Sequence, residues 1–128
     1  RPEHGLVITV PHGRITNDEL HAYYSDRLDG DGPAPRELEL VDGRWIHAFD
    51  VDAGGQSELV ELLVDHRDRL AVTRWGFIAD SMVAFGMFRM FEAQKKDLPF
   101  ETSVFRTPGA AAEWLKVPVS ALMIDPPV

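Results

Sequence analysis

The chain contains no cysteine among its 128 residues and no long apolar run. The first absence excludes disulfide bonds, thiolate nucleophiles and thiolate-bound zinc, and it fits a reducing compartment. The second excludes a membrane-spanning helix, because a bilayer core requires roughly 20 consecutive apolar residues. The segment from Arg1 to His4 also lacks the apolar region of a signal peptide. We therefore expect a cytoplasmic protein with no membrane partner.

Basic residues are scarce as well, since 13 Lys and Arg stand against 21 Asp and Glu and give a net charge of −8. A surface of this sign repels the phosphates of nucleic acids, so we expect no nucleic-acid partner. The hydrophobic fraction of 45% and the charged fraction of 27% are typical of a globular protein. We predict one folded domain over residues 1–116 and a tail over residues 117–128 that packs on the domain or on a partner.

Motifs for catalysis and metal binding are missing too. The chain has no Gly-x-Ser-x-Gly turn, and its tripeptide His66-Arg67-Asp68 is not accompanied by the glycine-rich loop or strand lysine of a kinase. The aspartates near residue 30 do not have the spacing of a calcium loop. We assign no catalytic residue, metal or cofactor. The histidines that lack the spacing of metal ligands are His4, His12, His21, His47 and His66.

Strand-like and helix-like segments alternate along the chain. Thr16 and Glu19 have the spacing of a capping box, and Thr107-Pro108 is typical of a helix start. Alternation of this kind favours an α/β fold, with a largely parallel or mixed sheet flanked by about four helices. The predicted strands cover residues 5–10, 37–41, 70–75 and 100–105, and the predicted helices cover residues 16–29, 57–65, 78–96 and 110–116.

Two local features, Asp42-Gly43 and Ser57, bear on both the fold and the function. Asp42-Gly43 and the apolar residues after it predict either a tight hairpin or one strand followed by an extended loop. Asp42 is also the candidate for an enzymatic role, because sites in α/β sheets lie beyond the carboxyl ends of the strands. Ser57 is predicted to be the N-cap of the second helix, since acidic residues follow it in the first turn.

Several stretches, taken in order, carry a resemblance to a known family. They are Gly13–Leu20, Glu39–Asp42, Arg69–Val72, Ala84–Glu92, Val104–Arg106 and Ala112–Leu115. The set resembles the SpoIIAA-like family of STAS/SEC14-type domains. This resemblance implies a small α/β domain with a mixed central sheet, without known enzymatic activity, that acts by binding a partner protein.

The same resemblance makes Ser57 a candidate phosphoacceptor. Phosphoregulated members of this fold carry a serine at the start of the second helix, where backbone N–H groups stabilise an added phosphate. Ser57 is the matching position, but Gly54-Gly55-Gln56 precedes it where those members have an Asp-Ser-Ser or Asp-Ser-Thr sequence. A plain N-cap requires the same hydroxyl.

The predicted third helix is apolar on two sides. At 100° per residue, a broad stripe that includes Val83 and Phe91 faces the sheet. A second group of apolar residues lies opposite, and either a second copy of the chain or the tail covers it. We predict a homodimer. Its interface residues are Ile78, Met82, Phe85 and Arg89.

These observations rank three functions. The first is a non-enzymatic binding or regulatory domain that acts through protein contacts, including contacts with itself. The second is a binder of a small apolar molecule or lipid, because SEC14-type relatives bind such ligands and clusters of methionine and aromatic residues can line a pocket. The third is an enzyme that uses the carboxylate of Asp42. The sequence specifies neither the partner nor the ligand.

Overall fold

The computed structural model describes residues 5–28, 38–67, 72–95 and 98–122. Several predicted features lie partly outside these residues: His4, the end of the first helix at Asp29, the strand residues Leu70 and Ala71, and the tail residues 123–128. None of the helices in the described ranges has the length and apolar composition that crossing a membrane requires. The elements are β1 (Leu6–Thr9), β2 (His12–Thr16), α1 (Asn17–Leu28), β3 (Leu38–Asp42), β4 (Trp45–Asp50), α2 (Ala53–Asp65), β5 (Arg74–Ile78), α3 (Met82–Gln94), β6 (Glu101–Phe105), α4 (Pro108–Leu115) and a 3₁₀ helix (Val119–Leu122).

The strands form a four-stranded main sheet and a separate two-stranded pair. The main sheet has the order β1-β3-β5-β6, and its strands all run parallel. Strands β2 and β4 also pair in parallel, and we call this pair the outer ribbon. Each ribbon strand follows its main-sheet strand closely in the chain, β2 after β1 and β4 after β3. The predicted α/β class is confirmed, and the described strand pairings are all parallel.

Two glycines shape the passage from the main sheet into the outer ribbon. Gly13 has a φ of +75°, a left-handed conformation that residues with a Cβ disfavour. At Gly43, a Cβ would lie 2.9 Å from the ring of Phe88, so a larger residue would force that ring to move. The Asp42-Gly43 pair is not a hairpin turn, because β3 pairs with β1 and β5 whereas β4 pairs with β2. The segment after it is a paired strand instead of an extended loop.

The main sheet has a different cover on each face. Helices α1, α2 and α3 cover what we call the three-helix face, where Val41 and Phe77 belong to one core. Helix α4 and the 3₁₀ helix cover what we call the α4 face, where Leu40 and Ile78 belong to a second core. This division follows from the strand order. The chain steps in one direction from β1 to β3, β5 and β6, and right-handed connections between parallel strands then place α1, α2 and α3 on the same face of the sheet.

Both predicted helix starts with a threonine cap are confirmed. The Thr16 hydroxyl accepts a hydrogen bond from the Glu19 backbone N–H at 3.2 Å and donates one to its carboxylate at 3.1 Å. At the start of α4, the Thr107 hydroxyl accepts from the Ala110 N–H at 3.2 Å. The tail begins by packing on the domain, because Leu122 is buried in the core of the α4 face.

The predicted boundary between the third strand and the third helix is wrong. Strand β5 runs to Ile78, and α3 begins at Met82 after an N-cap at Ser81. A parallel strand that is buried on both faces is a continuous apolar run, so its end cannot be distinguished from the start of a buried helix by pattern alone. The predicted core stripe is also wrong at Val83, because Ala84, Phe88 and Phe91 form the buried face of α3 and the Val83 side chain is exposed.

The prediction that Ser57 caps the second helix is also wrong. Helix α2 begins at Ala53, and the carboxylate of Asp52 accepts the capping hydrogen bond from the Gly55 N–H at 2.8 Å. Gly54 and Gly55 are poor helix formers, which concealed this first turn in the sequence. A Cβ on Gly55 would lie 1.9 Å from the side-chain oxygen of Asn17 in α1, so a larger residue there would displace the Asn17 side chain.

Candidate ligand-binding pocket

A pocket of about 490 Å³ lies between the three-helix face of the main sheet and the outer ribbon. The helices supply one wall, the sheet supplies the floor and the ribbon supplies a cover. Most of the lining side chains are aliphatic or aromatic. The apolar lining includes Ile8, Val10, Ile15, Leu20, Val41, Ile46, Phe49, Val51, Leu59, Trp75, Phe77, Phe88 and Phe91.

Aromatic rings form a large part of the wall. Phe77 of β5 stacks on Phe88 of α3 with ring centroids 4.7 Å apart, and Phe49 of the ribbon meets Phe88 edge to face at 5.8 Å. Trp75 contacts Tyr24 of α1 at 5.4 Å and Phe91 of α3 at 6.1 Å. Rings held against one another on three sides do not collapse readily into the space beside them, so the pocket keeps its shape.

Two buried polar atoms that belong to lining residues have no hydrogen-bond partner among the described residues. They are Oε1 of Gln56 and Nε1 of Trp75. The side chain of Gln56 is oriented by its other end, because its Nε2 donates to the Met87 carbonyl at 2.9 Å. Because a carbonyl oxygen can only accept, the atom of the Gln56 amide that faces Met87 must be the NH₂ nitrogen, and the atom without a partner must be the oxygen.

The ionisable groups of the lining lie mostly at its mouth. His12 and Glu19 are exposed, and the Tyr23 hydroxyl is 2.9 Å from the Thr9 hydroxyl. Burial raises the pKa of Tyr24 far above its ordinary value, with the charge of Glu39 acting in the same direction, so this phenol stays neutral. Within the described residues, no lysine or arginine lines the pocket.

A buried ion pair supports the wall from behind. Arg27 of α1 donates two hydrogen bonds to the carboxylate of Glu39 on β3, at 2.8 and 2.9 Å, and both side chains are 2% exposed. Burial alone would lower the pKa of Arg27, but the hydrogen bonds and charge of Glu39 raise it above the ordinary value. The guanidinium also lies 5.7 Å from the ring of Tyr23 and 5.8 Å from the ring of Tyr24, and both tyrosines line the pocket.

The strand-end carboxylate of Asp42 is tied to its neighbour in the chain. It is fully buried, and the Arg44 side chain donates to both of its oxygens, at 2.9 and 2.7 Å. The ring of Trp45 lies 4.6 Å from the Arg44 guanidinium and holds it in place. This pair closes the turn between β3 and β4. Among the described residues, no three His, Asp or Glu side chains are grouped as metal ligands would be.

The structure does not bring the four predicted interface residues onto one surface. Ile78 lies in β5 with no exposed surface, whereas Met82 at the start of α3 is 86% exposed. Phe85 is half-buried beneath the Arg106 guanidinium, 4.6 Å from its ring centre, and Arg89 pairs with Glu92 of its own helix at 3.4 Å. Ser57 is exposed within α2, and its hydroxyl donates to Oε1 of Gln94 at 2.8 Å.

Sequence reasoning missed the pocket because its lining comes from elements far apart in the chain. One signal was present in Gln56, which precedes Leu59 and Leu63 at helical spacing and is therefore a polar residue on a buried helix face. Comparison of the chain with models of protein families, with curated proteins and with solved structures finds no match. The resemblance to the SpoIIAA-like family stays a prediction.

Proposed function

We propose that this protein binds a small, mainly apolar molecule in the pocket beneath the outer ribbon. The observation that carries the proposal is the pocket itself, whose 490 Å³ falls within the usual range of ligand sites, roughly 300–1,000 Å³. The pocket is open to solvent and is lined by core rings, so a small molecule can enter it and bury apolar surface there.

Two further features support ligand binding ahead of the other functions. The pocket opens where β1 and β3 of the main sheet end, and the crevice beyond the carboxyl ends of parallel strands is the usual ligand site of α/β folds. The Asp42 carboxylate, by contrast, is fully buried and engaged by Arg44, so it offers no free base.

We retain a cytoplasmic location as a proposal, based on the absence of cysteine.

Two adjacent residues of β4 provide the test. Ile46 lines the pocket, whereas its neighbour His47 is exposed and does not line it. Ile46→Trp therefore adds an indole on the pocket side, and His47→Trp adds the same group elsewhere on the strand. Titration with the neutral fluorescent probe N-phenyl-1-naphthylamine should show saturable binding. We expect Ile46→Trp to weaken it about tenfold or more, equivalent to about 1.4 kcal/mol, and His47→Trp to leave it nearly unchanged.

The thermal melting points of both variants establish that each is folded. Absence of saturable binding by the wild-type protein would contradict the proposal. Equal weakening by the two substitutions would also contradict it, because the probe would then be bound outside the pocket.

The self-association inferred from the third helix stays a prediction. Met82 and Val83 are adjacent at the start of α3 and exposed, at 86% and 64%, and they offer an apolar surface. A protein-binding role through this surface is compatible with a ligand pocket on the other side of α3, where Phe88 and Phe91 are buried.

A further inference from the structure

The mouth of the pocket carries a negative charge that no described positive charge balances. Glu19 of α1 is exposed and lines the pocket. Its Oε1 accepts a hydrogen bond from the neutral hydroxyl of Thr16 at 3.1 Å. Within the described part of the chain, no lysine, arginine or histidine forms an ion pair with this carboxylate. The entrance therefore has a negative potential that attracts a cation.

The other polar side chains at the mouth can accept hydrogen bonds. The hydroxyls of Thr9 and Tyr23 lie 2.9 Å apart, so one donates to the other, and the lone pairs that remain on the two oxygens can accept. The neutral ring of His12 also has one acceptor nitrogen, and this side chain is exposed. An ammonium group has only donors, so it matches a rim of acceptors.

The rest of the pocket suits an apolar body and disfavours an anion. The rings of Phe77, Phe88 and Phe91 lie in the lining, and no described lining residue is a lysine or arginine. An anionic group would lose its hydration there without gaining a counter-charge. The net charge of −8 opposes an anion further. A neutral polar group can enter, but it gains nothing from the charge of Glu19.

We infer that the ligand is an amphiphilic amine, whose protonated nitrogen pairs with Glu19 at the mouth while its apolar body packs among the rings of Phe77, Phe88 and Phe91. Burial of the apolar body supplies most of the affinity, and the ion pair supplies the selectivity for a cation. This inference rests on the proposed function, because it identifies the class of molecule that the same pocket takes.

A matched series of naphthalene compounds tests the inference by isothermal titration calorimetry. The series consists of 1-naphthylmethylamine, which is a cation; 1-naphthylmethanol, which has nearly the same shape and no charge; and 1-naphthoate, which is an anion. We expect the amine to bind about fivefold more tightly than the alcohol, the factor that a well-placed exposed ion pair provides, and 1-naphthoate to bind most weakly. Raising the salt concentration to about 1 M should narrow the difference between amine and alcohol, because the screening length falls to about 3 Å.

Glu19→Gln should abolish the preference for the amine over the alcohol. Glutamine keeps the size of the side chain and serves equally at this position of a capping box, so α1 still begins normally. The control is Asp18→Asn, which removes the same charge from the neighbouring residue in the first turn of α1. Asp18 is exposed and does not line the pocket, so this variant should keep the preference.

Thermal melting points establish that both variants are folded. The inference would be overturned, with the pocket still a binding site, by equal affinity of the wild-type protein for the amine and the alcohol, or by tighter binding of 1-naphthoate. A preference for the amine that survives Glu19→Gln, or that is lost equally in Asp18→Asn, would overturn it as well. Binding of none of the three compounds would overturn it together with the proposed function.

Discussion

The two faces of the main sheet are packed in different ways. On the α4 face, small residues bring the helix close: Ala111 and Ala112 are buried, and a Cβ on Gly76 would lie 3.3 Å from the Trp114 ring. On the three-helix face, large rings such as Trp75 and Phe88 belong to the core and line the pocket beneath the outer ribbon. Small side chains allow a sheet and a helix to close together, whereas rigid rings can keep space open between them.

The largest expected effect concerns the buried ion pair on the three-helix face. Arg27→Met leaves the Glu39 carboxylate buried without its guanidinium partner, which should lower the free energy of unfolding by about 3–5 kcal/mol. Arg14→Met is the control, because its pair with Asp50 lies on the surface of the outer ribbon, where an ion pair contributes little. Urea unfolding monitored by circular dichroism measures both. Similar losses in the two variants would show that the buried pair does not support the pocket wall.

A second experiment adds equal bulk to each face. Ala111→Leu and Leu20→Phe each add three carbon atoms to a helix, the first in the close-packed α4 face and the second in the pocket lining. We expect Ala111→Leu to destabilise the protein by about 1–3 kcal/mol through overpacking. Leu20→Phe should change the free energy of unfolding by less than about 1 kcal/mol, since the pocket can receive the larger ring. If Leu20→Phe were as destabilising as Ala111→Leu, the two faces would not differ in packing.

The smallest expected effect concerns the start of α2, which packs beside α1 on the three-helix face. The backbone N–H of Gly55 and the amide of Asn17 donate to the Asp52 carboxylate and lower its pKa below the ordinary value of about 3.9. A lowered pKa in the folded state stabilises the protein above the unfolded value, and this contribution is lost as the pH falls through the folded value. Asp52→Ala should therefore be less stable than the wild-type protein above about pH 5, and the difference should shrink in more acidic solution.

Thermal melts between about pH 2 and pH 7 test this dependence. Ser57→Ala, five positions further along the helix, should show the same pH dependence as the wild-type protein, because its hydroxyl bonds only the neutral side chain of Gln94. If Ser57→Ala were the variant that lost the acid-sensitive part of the stability, Asp52 would not be the functional cap.

Local chemistry predicted much of the fold. Thr16 and Thr107 each form the helix cap that their sequence context indicates, because a cap depends on residues within one turn. The pairing of the outer ribbon was not predictable in this way. Pro11 and Gly13 interrupt the first apolar run, and the strand that follows has its partner more than 30 residues away in β4. Long-range pairing of that kind leaves no periodic signal in either segment.

The sequence by itself determined the alternation of strands and helices, the acidic surface and the confirmed threonine caps, since these depend on composition and on neighbours within a few residues. Only the tertiary structure decided that Ile78 belongs to a buried strand, that Met82 is exposed, and that Gln56 and Trp75 share one pocket. Burial and hydrogen-bond satisfaction belong to the packed assembly of distant segments. A glutamine on an apolar helix face became part of a candidate binding site once the sheet, three helices and the outer ribbon enclosed it.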